Sequence, residues 1–160
     1  MGTPYGLFKA QAYAMRPPEV FLAQPCSKVS QVWAIAATIL CWMTPGILGA
    51  WDCPHPLIND SWCMAKPKRL FPHWYSPSPV AVEGHVFTAR MRSVRSLSIE
   101  VPELHAIAPF EQEMERVEML QQMRDLLPIM LVPDPSARPS ATAVLASKEF
   151  RAFEHLDATT

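Results

Sequence analysis

Prolines set the terms on which this chain can fold. It carries 17 in 160 residues, about 11% and so well above the usual share of about 5%. A proline inside a helix removes a hydrogen-bond donor, clashes with the preceding turn, and pushes the residue before it out of helical geometry. The ordered parts should therefore be short helices joined by rigid, extended connectors. Glycine is scarce, at 5, which argues against a Pro/Gly linker and against an all-β design rich in glycine turns. Hydrophobic residues make up 49% and charged residues 18%, enough to build a core and unlike a disordered tail. The length fits one ordinary domain.

Charge points away from nucleic acid. Fourteen basic and 15 acidic residues give a net charge of −1, with no basic half to track phosphates. The basic knot of Lys66, Lys68 and Arg69 reads as a solvated helix end. Met1 to Ala14 lacks the charged start and apolar core of a secretory signal. Cys41 sits in the most apolar run, where a thiol behaves as a small hydrophobe. Cys53, His55 and Cys63 look loosely metal-like. No Cys-x-x-Cys pair supports them, and Pro54 and Pro56 constrain the backbone between them, so no metal is expected. A reduced protein of the cytoplasm or nucleus is the expectation.

Between Val29 and Trp51 there is no charged residue, a span long enough to cross a bilayer. Pro45, Gly46 and Gly49 cut it, leaving Ser30 to Met43 as the helix-forming part. Val32, Trp33, Ile35, Ala36, Ile39, Leu40 and Met43 surround that segment on nearly all sides. A short helix of this kind belongs in a protein core, not a membrane, with Ser27 or Ser30 as its cap.

Along the rest of the chain, Met1 to Arg16 reads as loop, with Gly2, Pro4 and Gly6 as turn residues. Pro17 to Leu22 starts a short helix, whose positive end suits Glu19. A loop from Thr44 to Pro56 precedes a helix over Asn59–Leu70, interrupted near Pro67. Residues 72–109 read as an irregular insertion in which only Val86 to Leu97 has helical tendency. Phe110 to Leu131 turns strongly helical: Met114, Val117, Leu120, Met123, Leu126, Leu127 and Met130 recur at three- and four-residue spacing. The methionines read as core filler rather than a soft-metal site, and Pro128 should distort the last turn. After a turn at Pro133–Ser136, a last helix runs from Ser140, its cap, to Phe150, and 156–160 form a tail. No strand pattern competes, so the fold class is all-α. His55, His73, His85, His105 and His155 are scattered with no nucleophile motif near them, which leaves hydrolase chemistry without support.

Three segments line up, in order, with the closing part of a eukaryotic protein kinase domain. Tyr13-Ala14-Met15-Arg16-Pro17-Pro18-Glu19-Val20 resembles the end of an activation segment, whose Ala-Pro-Glu signature would be Pro17-Pro18-Glu19. Arg16 just before it resembles the CMGC group, which includes the SR-protein kinases. Ser30-Gln31-Val32-Trp33-Ala34-Ile35-Ala36 resembles the Asp-x-Trp-x-x-Gly opening of the buried central helix of the large lobe. Asp134-Pro135-Ser136-Ala137-Arg138-Pro139-Ser140-Ala141 resembles the Asp-Pro-x-x-Arg-Pro-x-Ala turn near the end of kinase domains, and is the most specific of the three.

The resemblance implies a helical C-terminal lobe subregion spanning residues 1–155, in which Glu19 pairs with Arg138. Trp33 and Gln31 would be structural positions, and Tyr13 and Arg16 would belong to the loop facing a protein substrate. Two positions depart from the pattern: Gln31 replaces the aspartate that holds the catalytic-loop backbone, and Ala36 replaces the glycine. The chain has no Gly-x-Gly-x-x-Gly loop, Val-Ala-x-Lys strand, His-Arg-Asp loop or Asp-Phe-Gly site. Complete relatives bind ATP and magnesium; no group for either is expected here, and no catalytic residue. The expected role is a fragment of a serine/threonine kinase-like domain, inactive alone and lacking its amino-terminal part. The alternative is a non-catalytic interaction module, a pseudokinase remnant. Protein partners fit either role, and a membrane fits neither.

Overall fold

A computed structural model of the chain describes residues 12–22, 24–74 and 85–155, with side chains in the helix that opens the last segment described from residue 92. Among these residues nine helices follow in order: α1 (Pro18–Phe21), α2 (Lys28–Met43), α3 (Asn59–Leu70), α4 (His85–Glu100), α5 (Pro102–His105), α6 (Phe110–Arg116), α7 (Gln121–Met130), α8 (Ala141–Leu145) and α9 (Lys148–Glu154). Single 3₁₀ turns occur at Tyr13–Met15 and Pro56–Ile58, and no strand occurs among the described residues. The class is all-α. No helix of the described residues is long and apolar enough to cross a membrane. The loop expected over Met1 to Arg16 lies largely outside the described residues, as does the tail at 156–160.

The middle of the fold is α2. Its Val32, Trp33, Ala36, Ala37 and Leu40 are buried together with Leu70 of α3, Phe110 and Met114 of α6, Leu126, Leu127 and Met130 of α7, and Val144 of α8. An aromatic chain ties these elements together. Trp33 packs tilted on Phe71, with centroids 6.1 Å apart, and Phe71 stacks on Phe110 at 5.3 Å. Such ring contacts add roughly 0.5–1.5 kcal/mol beyond the area they bury. A second cluster joins Phe21 and Leu22 to Cys63 and Met64 of α3 and Val94 of α4. A third joins Trp62 and Ala65 to Leu104 of α5.

Several sequence expectations need correction. Residues 72–109 are not an irregular insertion: α4 and α5 occupy much of that range, α4 packs along α3, and Val94 and Leu104 reach the core. The signal was thin because α4 is rich in serine and arginine, and among its described side chains Val94 is the buried apolar one. Helix α3 runs through Pro67 without interruption. That proline lacks a donor for one i−4 bond only, while its own carbonyl accepts from Phe71 N–H at 2.9 Å. Helix α7 likewise passes through Pro128 to Met130.

The helix expected over Phe110–Leu131 divides at Val117, which is extended at φ −95° and ψ 126°. Leu120, counted among its apolar stripe, is therefore exposed at the break. The last helix divides too. Ser140 accepts from Ala143 N–H to cap α8, and Ser147 accepts from Phe150 N–H to cap α9. A serine within an apolar period competes for backbone donors and starts a new helix. Ile35 of α2 is exposed rather than core, and Lys66 is fully buried rather than solvated.

Candidate functional site

Two proline-rich turns, far apart in sequence, meet at the first site. Proline at the start of α1 presets the helical φ and leaves no donor unpaired, which directs Glu19 in the first turn inward. Asp134 shapes the second turn, its Oδ1 accepting from Ser136 N–H at 2.9 Å and Ser136 Oγ at 2.7 Å. Arg138 follows that turn and meets Glu19 across 119 positions: Nη1 to Oε1 at 2.7 Å and Nη2 to Oε2 at 2.9 Å. The side chains are 0% and 3% exposed.

A buried guanidinium must place five N–H donors, and this one places all five. Nε donates to the Val132 carbonyl at 2.7 Å, Nη1 also to Val29 at 3.3 Å, and Nη2 also to Pro133 at 3.1 Å. The guanidinium lies over the Trp33 ring at 5.2 Å, a cation–π contact. Glu19 takes a third bond from Ser30 Oγ at 2.9 Å. Ser30 Oγ accepts from Ser27 N–H at 2.9 Å, so the cap of α2 and the ion pair are one network.

The Asp134 turn has a pH signature. Its bonds from Ser136, backed by Arg138, hold the Asp134 carboxyl below its ordinary value of 3.8. A carboxyl depressed on folding adds stability above its unfolded value and loses it as pH falls through the folded one. Wild type should therefore lose more stability than Asp134→Asn as pH drops from about 4 towards 2. Melts of the two proteins across that window check this, and parallel curves would refute it.

The resemblance pairs Glu19 with Arg138, and the two meet; Trp33, which it gives only as a structural position, lies against the same guanidinium. Gln31 stands apart: it is exposed, and its Nε2 donates to Cys26 Sγ at 3.6 Å. Arg16 is 5% exposed, with its guanidinium over the rings of Tyr13 at 4.6 Å and Phe21 at 5.1 Å, and Nη1 is 3.8 Å from Asp60 Oδ1. Arg16 thus supports Tyr13 from inside and does not itself reach solvent.

Beside Tyr13 lies a cavity of about 560 Å³, lined by Tyr13, Ala14, Cys41, Leu48, Ala50, Trp51 and Asn59 among others. Among the described residues no charged one lines it. The loop at its rim needs glycine twice. Gly46 (φ +88°) would place a Cβ 3.0 Å from Trp51 Nε1, and Gly49 (φ +86°) would place one 3.0 Å from the Ala14 Cβ. The loop's two ends are held by one ammonium: Lys66 Nζ donates to the Gly46 carbonyl and to Asp52 Oδ1, each at 2.6 Å. Trp62 Nε1 also donates to Asp52 Oδ1, at 3.1 Å. Trp51, at the rim, is 82% exposed.

Sequence reasoning missed Lys66. The available signal was its register with Trp62 and Leu70 on α3, positions four apart that share one face. Cysteine chemistry is muted: burial pushes the Cys63 thiol up to about 12 and raises Cys41 as well. Cys53 Sγ donates to the His55 carbonyl at 3.3 Å. No group of three metal-ligating side chains occurs among the described residues. Comparisons with protein-family models, with curated proteins and with solved structures find no match.

Proposed function

We propose that this chain is the helical, substrate-side part of a serine/threonine protein-kinase-like large lobe, which binds polypeptide and does not itself transfer phosphate. The observation that carries the reading is the Arg138–Glu19 pair, which joins the Ala-Pro-Glu-like and Asp-Pro-x-x-Arg-Pro-like segments through a fully bonded guanidinium. Trp33, from the second kinase-like segment, stands against the same guanidinium. In complete kinases the loop that Tyr13–Arg16 resembles faces the protein substrate. Here it borders an uncharged cavity whose rim loop is held in place by Lys66.

Phosphoryl transfer depends on positioning ATP, Mg²⁺ and the hydroxyl nucleophile. The sequence holds none of the motifs that do this, and ATP and magnesium belong to complete relatives. Purified chain incubated with labelled ATP, Mg²⁺ and a basic protein substrate should transfer no phosphate above a protein-free control. Turnover removed by Glu19→Gln or by any other substitution in this chain would overturn the reading. A purely interacting module descended from such a domain is the second reading, favoured by the exposure of Trp51 and Leu57, at 82% and 88%. Both readings make the chain a polypeptide-binding unit.

A further inference from the structure

Helix α2 is buried on most sides, and from Val29 onward its exposed positions are Gln31, Ile35, Thr38 and Trp42. Their spacing of four, three and four residues puts all of them on one stripe. Ile35 is 56% and Trp42 84% exposed, an expensive way to end the most apolar helix of the chain. We propose that this stripe pairs with the same stripe of a second copy, the two α2 helices running antiparallel about a two-fold axis between Ile35 and Thr38. The inference does not rest on the kinase-like reading.

The stripe is self-complementary in that register. Gln31 lies opposite the partner's Trp42, and Ile35 opposite the partner's Thr38, twice over by symmetry. Gln31 uses its amide donor on Cys26 Sγ, which leaves the carbonyl oxygen to accept from an indole N–H. Trp42 Nε1–H has no acceptor among the described residues, so the pairing satisfies both groups. Thr38 spends its hydroxyl proton on the Ala34 carbonyl at 2.7 Å. It can therefore bury its methyl against isoleucine without orphaning a donor.

Charge points the same way. Helix α2 has no acidic residue in its first turn and no basic residue in its last, so its own terminal turns leave its dipole unanswered. An antiparallel partner brings the exposed Lys28 of each copy beside the other's last-turn carbonyls. No like charges meet, because Val29–Trp51 has none. With its flanks the stripe offers on the order of 500 Å² per copy, near the lower limit for a specific pair and consistent with micromolar association.

Sedimentation velocity on the full chain between about 1 and 100 μM should show a concentration-dependent step from monomer to dimer that stops at two. Ile35→Lys brings two ammonium groups together near the axis and should weaken the dimer at least tenfold, as should Thr38→Glu through two carboxylates. Both positions are exposed, so the circular dichroism and melting of the monomer should not change. Mixed in equal amounts, the two variants should restore a dimer, because the ammonium introduced in one then meets the carboxylate introduced in the other. Should one variant alter the spectrum, the other carries the same test. A chain monomeric throughout, an open-ended series of larger species, or a dimer that Ile35→Lys leaves intact would each overturn the proposal. So would an equal mixture that stays monomeric.

Discussion

Arg138→Ala is expected to lower the melting temperature by on the order of 10 °C, far more than any surface arginine. The substitution strands the Glu19 carboxylate, 3% exposed, with only the Ser30 hydroxyl to answer it. It also removes the donors to the carbonyls of Val29, Val132 and Pro133. Removing one partner of a buried pair costs about 3–5 kcal/mol, and in a chain of this size each kcal/mol moves the midpoint by about 2–4 °C. Arg92→Ala supplies the control, since Arg92 is exposed and such changes stay within about 0.5 kcal/mol. Arg138→Lys should lose much of the same stability, because a single ammonium has three donors in place of a planar fork of five. Glu19→Leu combined with Arg138→Met should cost less than the sum of the two single changes, because neither charge is then left alone. Calorimetric melts of these variants decide the matter. Similar small shifts for Arg138→Ala and Arg92→Ala would remove the ion pair as the staple of the fold.

The Lys66–Asp52 pair should respond to mutation unequally. The Lys66 side chain is 0% exposed, whereas that of Asp52 is 42% exposed. Asp52→Ala leaves a buried ammonium on the Gly46 carbonyl without its counter-charge, and a loss of about 3–5 kcal/mol is expected. Lys66→Met keeps the apolar stem in place and leaves a carboxylate that water can reach, so its cost should stay near ~1 kcal/mol. Urea unfolding of both variants gives the comparison. Losses that are both below about 1 kcal/mol would mean that the pair behaves as an ordinary surface bridge. Lys66→Met also frees both ends of the loop that carries Trp51, whereas Asp52→Ala frees only the Asp52 end.

The local parts of the fold were legible because their causes are local. Ser140 was identifiable as a cap because a hydroxyl beside the first turn satisfies an orphan N–H without help from distant residues. The position of α2 was legible from the glycines and prolines that end it, but its core face was not: apolar residues surround it on nearly all sides, and only packing leaves Ile35 outside while Val32, Trp33, Ala36 and Leu40 are buried. Residues 85–105 were legible only as a helical tendency over Val86–Leu97, which α4 contains; their burial was not. Val94 and Leu104 are buried because α3 presents Cys63, Met64, Trp62 and Ala65 to them, and that depends on a neighbour far off in the chain. Lys66 misled for the same reason: nothing beside it in the chain reveals that Gly46 and Asp52 return to meet its ammonium.

The candidate site divides along the same line. By itself the sequence determined which residues are available: a glutamate at the start of a proline-led helix, an arginine after an Asp-Pro turn, and an uncharged stretch from Val29 to Trp51. It also determined that the chain carries none of the motifs that hold ATP and its metal. The tertiary structure alone decided that Arg138 has five acceptors around it, that Lys66 closes the loop below Trp51, and that Gln31, Ile35, Thr38 and Trp42 face outward. Periodicity and capping report what a segment can do with its own atoms. Burial and charge pairing depend on which other segments arrive, because a side chain's dielectric surroundings belong to the packed molecule and not to the residue.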